Sequence, residues 1–309
     1  MWFDGPASRP LAALLAAAYA LAELALLIMV QPRRRAYAAV LALFAVLLGW
    51  WLSLEPSNSR DWQPDVARLP TAEIQGDVIT IHNVRNFDYR SETNYTERWE
   101  TRRYDLSKLR GMDLFVIYWG SPNIAHTILS WDFGDGQHLA VSIETRKEKG
   151  ESYSAVRGFF RQYELYYVVA DERDVVKLRT NYRHENVYLY RLRTPPARAR
   201  AILLDYLNGI NRLARHPKWY NALTHNCTTT IRLHVAGVVP GIPHDWRWLA
   251  NGHMDELLYE MGVVNRDYPF AVLKKLSYIN PKAQAVPPEG DFSGLIRQGL
   301  PPRPPLPPN

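Results

Sequence analysis

Cysteine is almost absent from this chain: Cys227 is the only one among 309 residues. A single thiol excludes a disulfide-stapled scaffold and a zinc site built from several cysteines. No set of histidines and carboxylates has metal-ligand spacing either, so we expect no metal and no cofactor. Hydrophobic residues make up 47% of the sequence, which excludes a disordered chain.

Charge is absent from one long apolar run, residues 36–54, and a second run, residues 10–30, carries only Glu23. At about 1.5 Å rise per residue, a run of about 20 residues spans a hydrocarbon layer of about 30 Å. A signal peptide would be a single shorter run followed by a cleavage site. The two runs therefore predict a two-helix transmembrane hairpin over residues 1–58.

The short loop between the two runs contains three consecutive arginines, Arg33, Arg34 and Arg35. Because short basic loops stay on the cytoplasmic side, both outer ends of the hairpin should face the opposite side. Aromatic residues suited to an interfacial belt occur at both outer ends. They are Trp2, Phe3, Trp50 and Trp51. We therefore expect an anchor in the inner (cell) membrane, with the lipid bilayer as a partner, and a periplasmic or otherwise extracytoplasmic domain over residues 59–309.

A basic stripe interleaved with aromatic residues is also lacking. The formal net charge is +6, but residues 59–309 contain 33 basic and 28 acidic groups scattered along the chain. Such a scattered excess fits attraction to anionic lipid headgroups better than a nucleic-acid-binding face. We expect no nucleic-acid partner.

Several runs of alternating or continuous apolar residues after the hairpin predict β-strands. The strongest hairpin signal is Gly134-Asp135-Gly136, which separates two of these runs. The predicted strands are 78–84, 98–104, 114–119, 125–133, 138–146, 163–170 and 186–192. The charged run 171–174, which follows one of them, is interpreted as a solvated, salt-bridged corner.

Helical patterns follow the strands. The first begins at Pro195-Pro196 and has a continuous apolar face, and the second is expected from about Asn226 to Val238. The residues of that apolar face are Ile202, Leu203, Tyr206, Leu207, Ile210 and Leu213. Strands first and helices afterwards predict an α+β domain and not a doubly wound one. Residues 301–309 are mostly proline, which predicts an extended, solvated tail.

Cys227 stands where polar sequence changes to an apolar-periodic run. Asn226 can cap a helix there, which would place the thiol in the first helical turn, where free N–H groups and the helix dipole favour a thiolate. The same N–H groups, helped by the Asn226 side chain, could stabilise an oxyanion. The alternative is a buried structural cysteine, because free cysteine is among the most buried residue types.

A thiol nucleophile needs a base, and His126 stands out among nine histidines because its neighbours alternate cleanly in a strand. A three-residue loop at Gly134-Asp135-Gly136 would place Glu144 opposite His126 and Ser142 diagonally on the same face. A carboxylate there would hold the imidazole in one tautomer. Arg146 would share this face and either bind a phosphate or carboxylate or remain a surface arginine. A two-residue turn would move Glu144 to the other face.

A strand histidine that precedes a helix-opening Asn-Cys pair resembles the circularly permuted branch of the NlpC-type papain-like superfamily. The chain is more closely similar to the Lnb N-terminal periplasmic domain family, over roughly residues 70–265. The segments that carry this resemblance are 81–87, 125–133, 142–146, 163–165, 171–174 and 220–229.

The resemblance implies a papain-like antiparallel sheet with helices and a membrane-attached thiol enzyme. One family member is a lipoprotein transacylase, which moves an acyl chain from the glyceryl group of a lipoprotein to its N-terminal amine. The resemblance implies Cys227 as nucleophile, His126 as base and a lipid-linked substrate, lipoproteins among them. The third group is taken from the hairpin register, which favours Glu144. Two alternatives stay open: a cysteine peptidase or amidase acting on cell-wall peptides, and an inactive envelope scaffold.

Overall fold

The structure is a computed structural model that describes residues 2–5 and 8–306. Two long helices come first, α1 (Arg9–Met29) and α2 (Arg33–Ser53). Each has 21 residues and is long and apolar enough, by length and composition, to cross a membrane. Their apolar side chains are largely exposed, as expected of helices whose solvent is lipid and not water. The predicted tail residues 307–309 lie outside the described part of the chain, as do residues 1, 6 and 7.

In the described part of the chain, ten strands follow the apolar helices. They are β1 (Thr71–Gln75), β2 (Val78–Arg85), β3 (Asp88–Tyr89), β4 (Tyr95–Thr96), β5 (Trp99–Asp105), β6 (Gly111–Tyr118), β7 (Ala125–Asp132), β8 (His138–Arg146), β9 (Glu164–Ala170) and β10 (Asn186–Arg191). Seven of them form the path β1-β2-β9-β8-β7-β6-β10, and β5 pairs with β2. Neighbours are antiparallel except β2 and β9, which meet in parallel at one residue pair.

Among residues 8–306, seven further α-helices lie between and after the strands. They are α3 (Glu172–Val175), α4 (Pro196–Arg215), α5 (Cys227–Ala236), α6 (Met254–Glu260), α7 (Phe270–Ser277), α8 (Asn280–Gln284) and α9 (Phe292–Arg297). The domain is therefore α+β, as the sequence predicts. The structure adds β1, β3, β4, α3 and the helices after Met261, none of which the sequence pattern predicts.

The sheet is covered on both faces by separate hydrophobic cores. One core joins alternate residues of the strands to the apolar face of α4, and all six residues predicted for that face are buried. It also contains Cys227 and Ile231 of α5. The other core joins the intervening strand residues to α8 and α9, through residues such as Ile279 and Ile296. Because both faces are covered, the central strands are almost continuously buried, which explains their apolar runs.

The turn between β7 and β8 has three residues, as predicted. Phe133 N–H donates to the Gln137 carbonyl, and Asp132 pairs with His138. Gly134 and Gly136 have φ angles of +73° and +74°, a conformation that glycine adopts without strain. The register predicted from this loop length is confirmed down to the pair Ile128 and Ser142.

Two sequence predictions about exposure are wrong. Run 171–174 is salt-bridged, as predicted, but it is not solvated: Glu172 and Asp174 are fully buried and pair with Arg297 and Arg85. The proline-rich end is extended but not free of the domain, because Arg303 forms an ion pair with the buried Asp113 at 2.9 Å. In both cases the buried carboxylate is paired with an arginine that is far away in the sequence, and local sequence patterns cannot predict such a pair.

The outer ends of the apolar hairpin contact the domain directly. The Trp51 indole donates to Asp4 at 2.8 Å, which ties the two outer ends together. Gln162 donates to the Phe3 carbonyl at 2.9 Å, and the Phe3 ring stacks on Phe160 with centroids 4.6 Å apart. The segment that contains Phe160 thus lies beside the ends of both helices.

Candidate active site

Cys227 is the first residue of α5, and Asn226 caps the helix as predicted. Asn226 Oδ1 accepts a hydrogen bond from Thr229 N–H at 2.9 Å, and Thr229 Oγ1 accepts one from Asn226 N–H at 2.9 Å. This reciprocal capping box fixes where the helix begins. The first turn of a helix leaves N–H groups without intrahelical acceptors. Among the described residues those of Cys227 and Thr228 have no other acceptor, so both remain available to an anion.

His126 stands near the start of β7 and lines the same cavity as Cys227, close enough for each side chain to shift the pKa of the other. Its Nε2 lies 2.6 Å from Ser142 Oγ and 3.1 Å from Glu144 Oε1. Ser142 Oγ also donates to Glu144 Oε1 at 2.6 Å, so the hydroxyl oxygen accepts from an imidazole N–H. These contacts place the ring proton on Nε2 and leave Nδ1 for the thiol.

The carboxylate oxygen of Glu144 that contacts His126 is also bound by Arg179, a residue that the sequence did not single out. Arg179 Nη2 donates to Glu144 Oε1 at 2.7 Å, and Arg179 Nη1 donates to Glu185 Oε2 at 2.9 Å. Arg179 is buried in the single π-helical turn that follows α3. The carboxylate therefore has a fixed orientation towards His126.

The charges in this cluster favour a thiolate beside an imidazolium. Burial opposes ionisation of Cys227, but the positive charge of His126 and hydrogen bonds from His126, Thr228 and the Thr127 N–H outweigh it and lower the thiol pKa to about 7. Burial also disfavours charge on His126, but the Glu144 carboxylate outweighs it and raises the imidazole pKa to about 9. Because the thiol pKa lies below the imidazole pKa, the ion pair is the favoured form between about pH 7 and pH 9.

Asn251 completes the surroundings of the thiol, and no pattern in the sequence predicts this role. Its Nδ2 donates to Thr228 Oγ1 at 2.7 Å and lies 3.7 Å from Cys227 Sγ, while its Oδ1 accepts from Ala125 N–H at 2.8 Å. It therefore joins the start of α5 to the start of β7. Gly252 allows this approach, because a Cβ at that position would collide with the Pro122 carbonyl.

Two predicted support roles are corrected by the structure. The Asn226 side chain is held by the helix cap and by the Ala222 carbonyl, to which its Nδ2 donates at 2.7 Å, so its oxygen and one of its two N–H groups are already engaged. Arg146 shares the face of β8 with Glu144 but does not line the cavity. It is buried under the segment before β1, donates to the Val66 and Ala67 carbonyls and stacks on Trp62.

Three other histidines on strands or helices, His82, His138 and His234, lie away from the thiol. His82 of β2 contacts Glu73 and Thr101 on the exposed side of the sheet edge. His138 lies by the β7–β8 turn, and His234 is packed within α5 against Tyr206. Among the described residues no group of three or more histidine, cysteine or carboxylate side chains is arranged to hold a metal ion.

The thiol opens into a cavity of about 580 Å³. Its polar inner wall includes His126, Glu144 and Arg179. Its outer wall carries six large, partly exposed hydrophobic residues, which we call the rim. The rim consists of Trp119, Ile124, Tyr153, Phe159, Leu223 and Leu249.

Comparison with known families decides the affiliation of the chain. The profile of the Lnb N-terminal periplasmic domain family matches residues 95–252, just over half of the sequence. The chain belongs to this family. No curated protein and no solved structure matches it.

The part that matches the Lnb N-terminal periplasmic domain family contains the whole cluster around the thiol. It runs from β4 into the turn before α6 and includes His126, Ser142, Glu144, Cys227 and Asn251. Family membership and the two apolar helices together indicate an envelope protein with a membrane anchor and a periplasmic domain.

Proposed function

We propose that this chain is a membrane-anchored, cysteine-dependent acyltransferase or acyl hydrolase that acts on lipid-linked substrates, lipoproteins among them. The observation that carries the proposal is the cluster in which His126 contacts Glu144 and lies close enough to Cys227 for each to shift the pKa of the other. A buried structural cysteine needs no such partners. A nucleophile needs all of them: a base, and a third group that orients the base.

In the proposed first step the Cys227 thiolate attacks the carbonyl carbon of an ester. The carbon–oxygen bond to the leaving group breaks, and the His126 imidazolium gives its Nδ1 proton to the departing oxygen. A thioester on Cys227 results. In the second step an amine or water attacks this thioester while His126 accepts its proton, the carbon–sulfur bond breaks and the thiolate returns.

The developing oxyanion would be stabilised by the N–H groups of Cys227 and Thr228 at the start of α5. Asn251 Nδ2, 3.7 Å from Sγ, is a third donor close to the reacting atom. Its hydrogen bond to Thr228 holds it in place before substrate binds. This assignment replaces the Asn226 side chain, which is engaged in the helix cap.

The shape of the cavity favours a lipid-linked substrate over a purely polar one. The rim is apolar, and the charged cluster of His126, Glu144 and Arg179 lies on the wall by the thiol. The lining also contains five further charged residues, Asp65, Arg85, Lys147, Arg183 and Glu185. An acyl chain would lie against the rim while its carbonyl reached Cys227. The apolar helices would keep the domain within reach of such chains, inserted in the inner membrane with the arginine loop in the cytoplasm.

The proposed architecture is that of the permuted NlpC-type papain-like superfamily. Two observations support it: the base precedes the nucleophile in the chain, and the nucleophile opens a helix that packs on an antiparallel sheet. The α5 helix contacts both β7, which carries the base, and β8, which carries Glu144.

The test is an assay of the full chain in detergent micelles with a diacylglyceryl lipopeptide. Mass spectrometry would follow loss or transfer of one acyl chain, and a cell-wall peptide would be offered in parallel. We expect acyl loss or transfer that disappears in Cys227→Ala and His126→Ala but persists in His82→Ala, a matched strand histidine away from the thiol. Cleavage of the cell-wall peptide alone would indicate an amidase, and no reaction with either substrate would favour a scaffold.

A further inference from the structure

The rim brings six exposed apolar side chains together on one cavity. Its six side chains are between 38% and 54% exposed, and all of them line one cavity. Single exposed hydrophobic residues need no explanation, but a contiguous set around an opening marks a surface that meets an apolar partner.

The rim is continuous with the place where the apolar hairpin meets the domain. Phe159 of the rim precedes Phe160, which stacks on Phe3 at the outer end of the hairpin. Arg161 donates to the Leu52 carbonyl at 3.1 Å and covers the Trp51 ring with its guanidinium. Residues 159–161 therefore connect the cavity rim to the outer end of the hairpin.

A second loop makes the same connection. The Trp219 indole donates to the Leu54 carbonyl at 3.1 Å, just after α2 ends. Three residues further on, Ala222 N–H donates to the Gly158 carbonyl at 2.8 Å and leads directly to Leu223 of the rim. Two neighbouring loops thus fix one side of the rim to the outer end of the hairpin.

The charge beside this junction also suits a lipid surface. Lys218, next to Trp219, is exposed and close enough to His225 that its charge adds to burial in lowering the pKa of that imidazole. Exposed cations next to aromatic and aliphatic side chains are typical of surfaces that lie among lipid headgroups.

From these observations we infer that the rim is a second membrane contact, which rests on the outer leaflet of the bilayer and opens the cavity towards the lipid. The hairpin holds the domain, and the rim sets its orientation. A lipid-anchored substrate could then reach Cys227 without leaving the bilayer. The inference rests on the membrane insertion that is part of the proposed function, but it does not depend on the thiol chemistry.

The single native cysteine makes a direct test possible. In the full-length Cys227→Ala chain, single cysteines would be placed in the rim by Phe159→Cys, Leu223→Cys and Leu249→Cys and labelled with an environment-sensitive fluorophore. Lys108→Cys is the matched control, since Lys108 is exposed near the β7–β8 turn, at the far end of β7 from His126. Leu48→Cys in α2 reports insertion. Each protein would be reconstituted in nanodiscs with and without lipids that carry a headgroup nitroxide or a shallow acyl-chain nitroxide.

We expect the three rim probes to lose about half or more of their fluorescence to the nitroxide lipids, because interfacial side chains lie about 5–10 Å deep among headgroups and upper acyl chains. The Lys108 probe should lose almost none. Rim probes quenched no more than the Lys108 probe, with Leu48 quenched, would overturn the inference and leave the hairpin as the only anchor. An unquenched Leu48 probe would overturn both the inference and the proposed insertion. The protein lacks its thiol here, so a failure of the acyl chemistry would not affect the result.

Discussion

Nε2 of His126 lies 3.1 Å from Oε1 of Glu144 across the pair of strands that precedes the nucleophile in the chain. In the neutral imidazole this contact places the proton on Nε2, and in both protonation states it leaves Nδ1 available to the thiol. Because Arg179 and Ser142 hold the same carboxylate oxygen, the orientation of the imidazole is determined by three side chains and not by packing alone.

The first prediction concerns the ionisation of the thiol. Since thiolate is the form that reacts, the alkylation rate of Cys227 by iodoacetamide should fall as the pH drops below about 7, the pKa to which His126 and the hydrogen bonds lower it. His126→Ala removes the positive charge that lowers the thiol pKa but leaves the thiol buried, so the pKa of Cys227 should rise. We expect at least about tenfold slower alkylation at pH 7. An unchanged pH profile in His126→Ala would contradict the ion pair.

The second prediction concerns the carboxylate. Glu144→Gln removes the charge that raises the His126 pKa to about 9, so the imidazolium should lose its proton at lower pH. The alkaline limb of the pH–rate profile should move to lower pH, and kcat/KM should fall by about 10²-fold. Ser142→Ala should have a smaller effect, because Glu144 still reaches Nε2 directly. A uniform loss of rate in Glu144→Gln with no movement of the limb would indicate a merely structural role.

The third prediction concerns Asn251. Asn251→Asp keeps an oxygen that can accept from Ala125 N–H but places a carboxylate beside the thiol. A like charge disfavours the thiolate, so the alkylation pKa of Cys227 should rise above its wild-type value. Asn123→Asp, in the neighbouring loop, is the matched control, since its side chain contacts His253. Equal effects of the two substitutions would contradict a specific role for Asn251 at the thiol.

The placement of His126, Ser142 and Glu144 could be predicted from the sequence because it follows from local rules. A Gly-Asp-Gly turn fixes the loop length, the loop length fixes the register, and the period of two along a strand brings the three side chains to one face. Asn226 was recognised as a helix cap by similarly local chemistry.

The residues that the sequence did not reveal depend on contacts between distant segments. Arg179 and Asn251 reach the cluster only because a π-helical turn and a loop before α6 fold against β7 and β8. Arg146 was correctly placed on the face of Glu144, but the segment before β1 covers it. No local pattern specifies which segment will cover a strand face, so burial of Arg146 could not be foreseen.

The fourth prediction concerns stability. Arg297 pairs with the fully buried carboxylates of Glu172 and Asp113. Arg297→Ala leaves both charges without this partner, and we expect a loss of about 3–5 kcal/mol in the free energy of unfolding at neutral pH. Arg110→Ala, which removes a largely exposed arginine 4.0 Å from Asp135, should cost less than about 1 kcal/mol. Denaturant unfolding of the full chain in micelles, followed by circular dichroism, measures both.

The pH dependence of this loss has a definite sign. Burial raises the pKa of Glu172, but Arg297, His138 and the hydrogen bonds from Arg297 and Ser130 outweigh it and lower the pKa to about 2. The stabilisation that goes with a depressed carboxyl pKa is complete above the ordinary value of about 4.5. It is lost as the pH falls towards the lowered pKa of about 2. The difference between wild type and Arg297→Ala should therefore shrink below pH 4.5. A difference that stays constant or grows in acid would contradict this pairing.

The most direct test of the central claim is intact mass spectrometry of the full chain mixed briefly with a diacylglyceryl lipopeptide and quenched in acid. The account predicts a mass increase equal to one acyl chain, located on Cys227, removed by neutral hydroxylamine and absent from Cys227→Ala. Acyl loss from the lipopeptide that continues in Cys227→Ala, with no adduct on the wild-type chain, would contradict it.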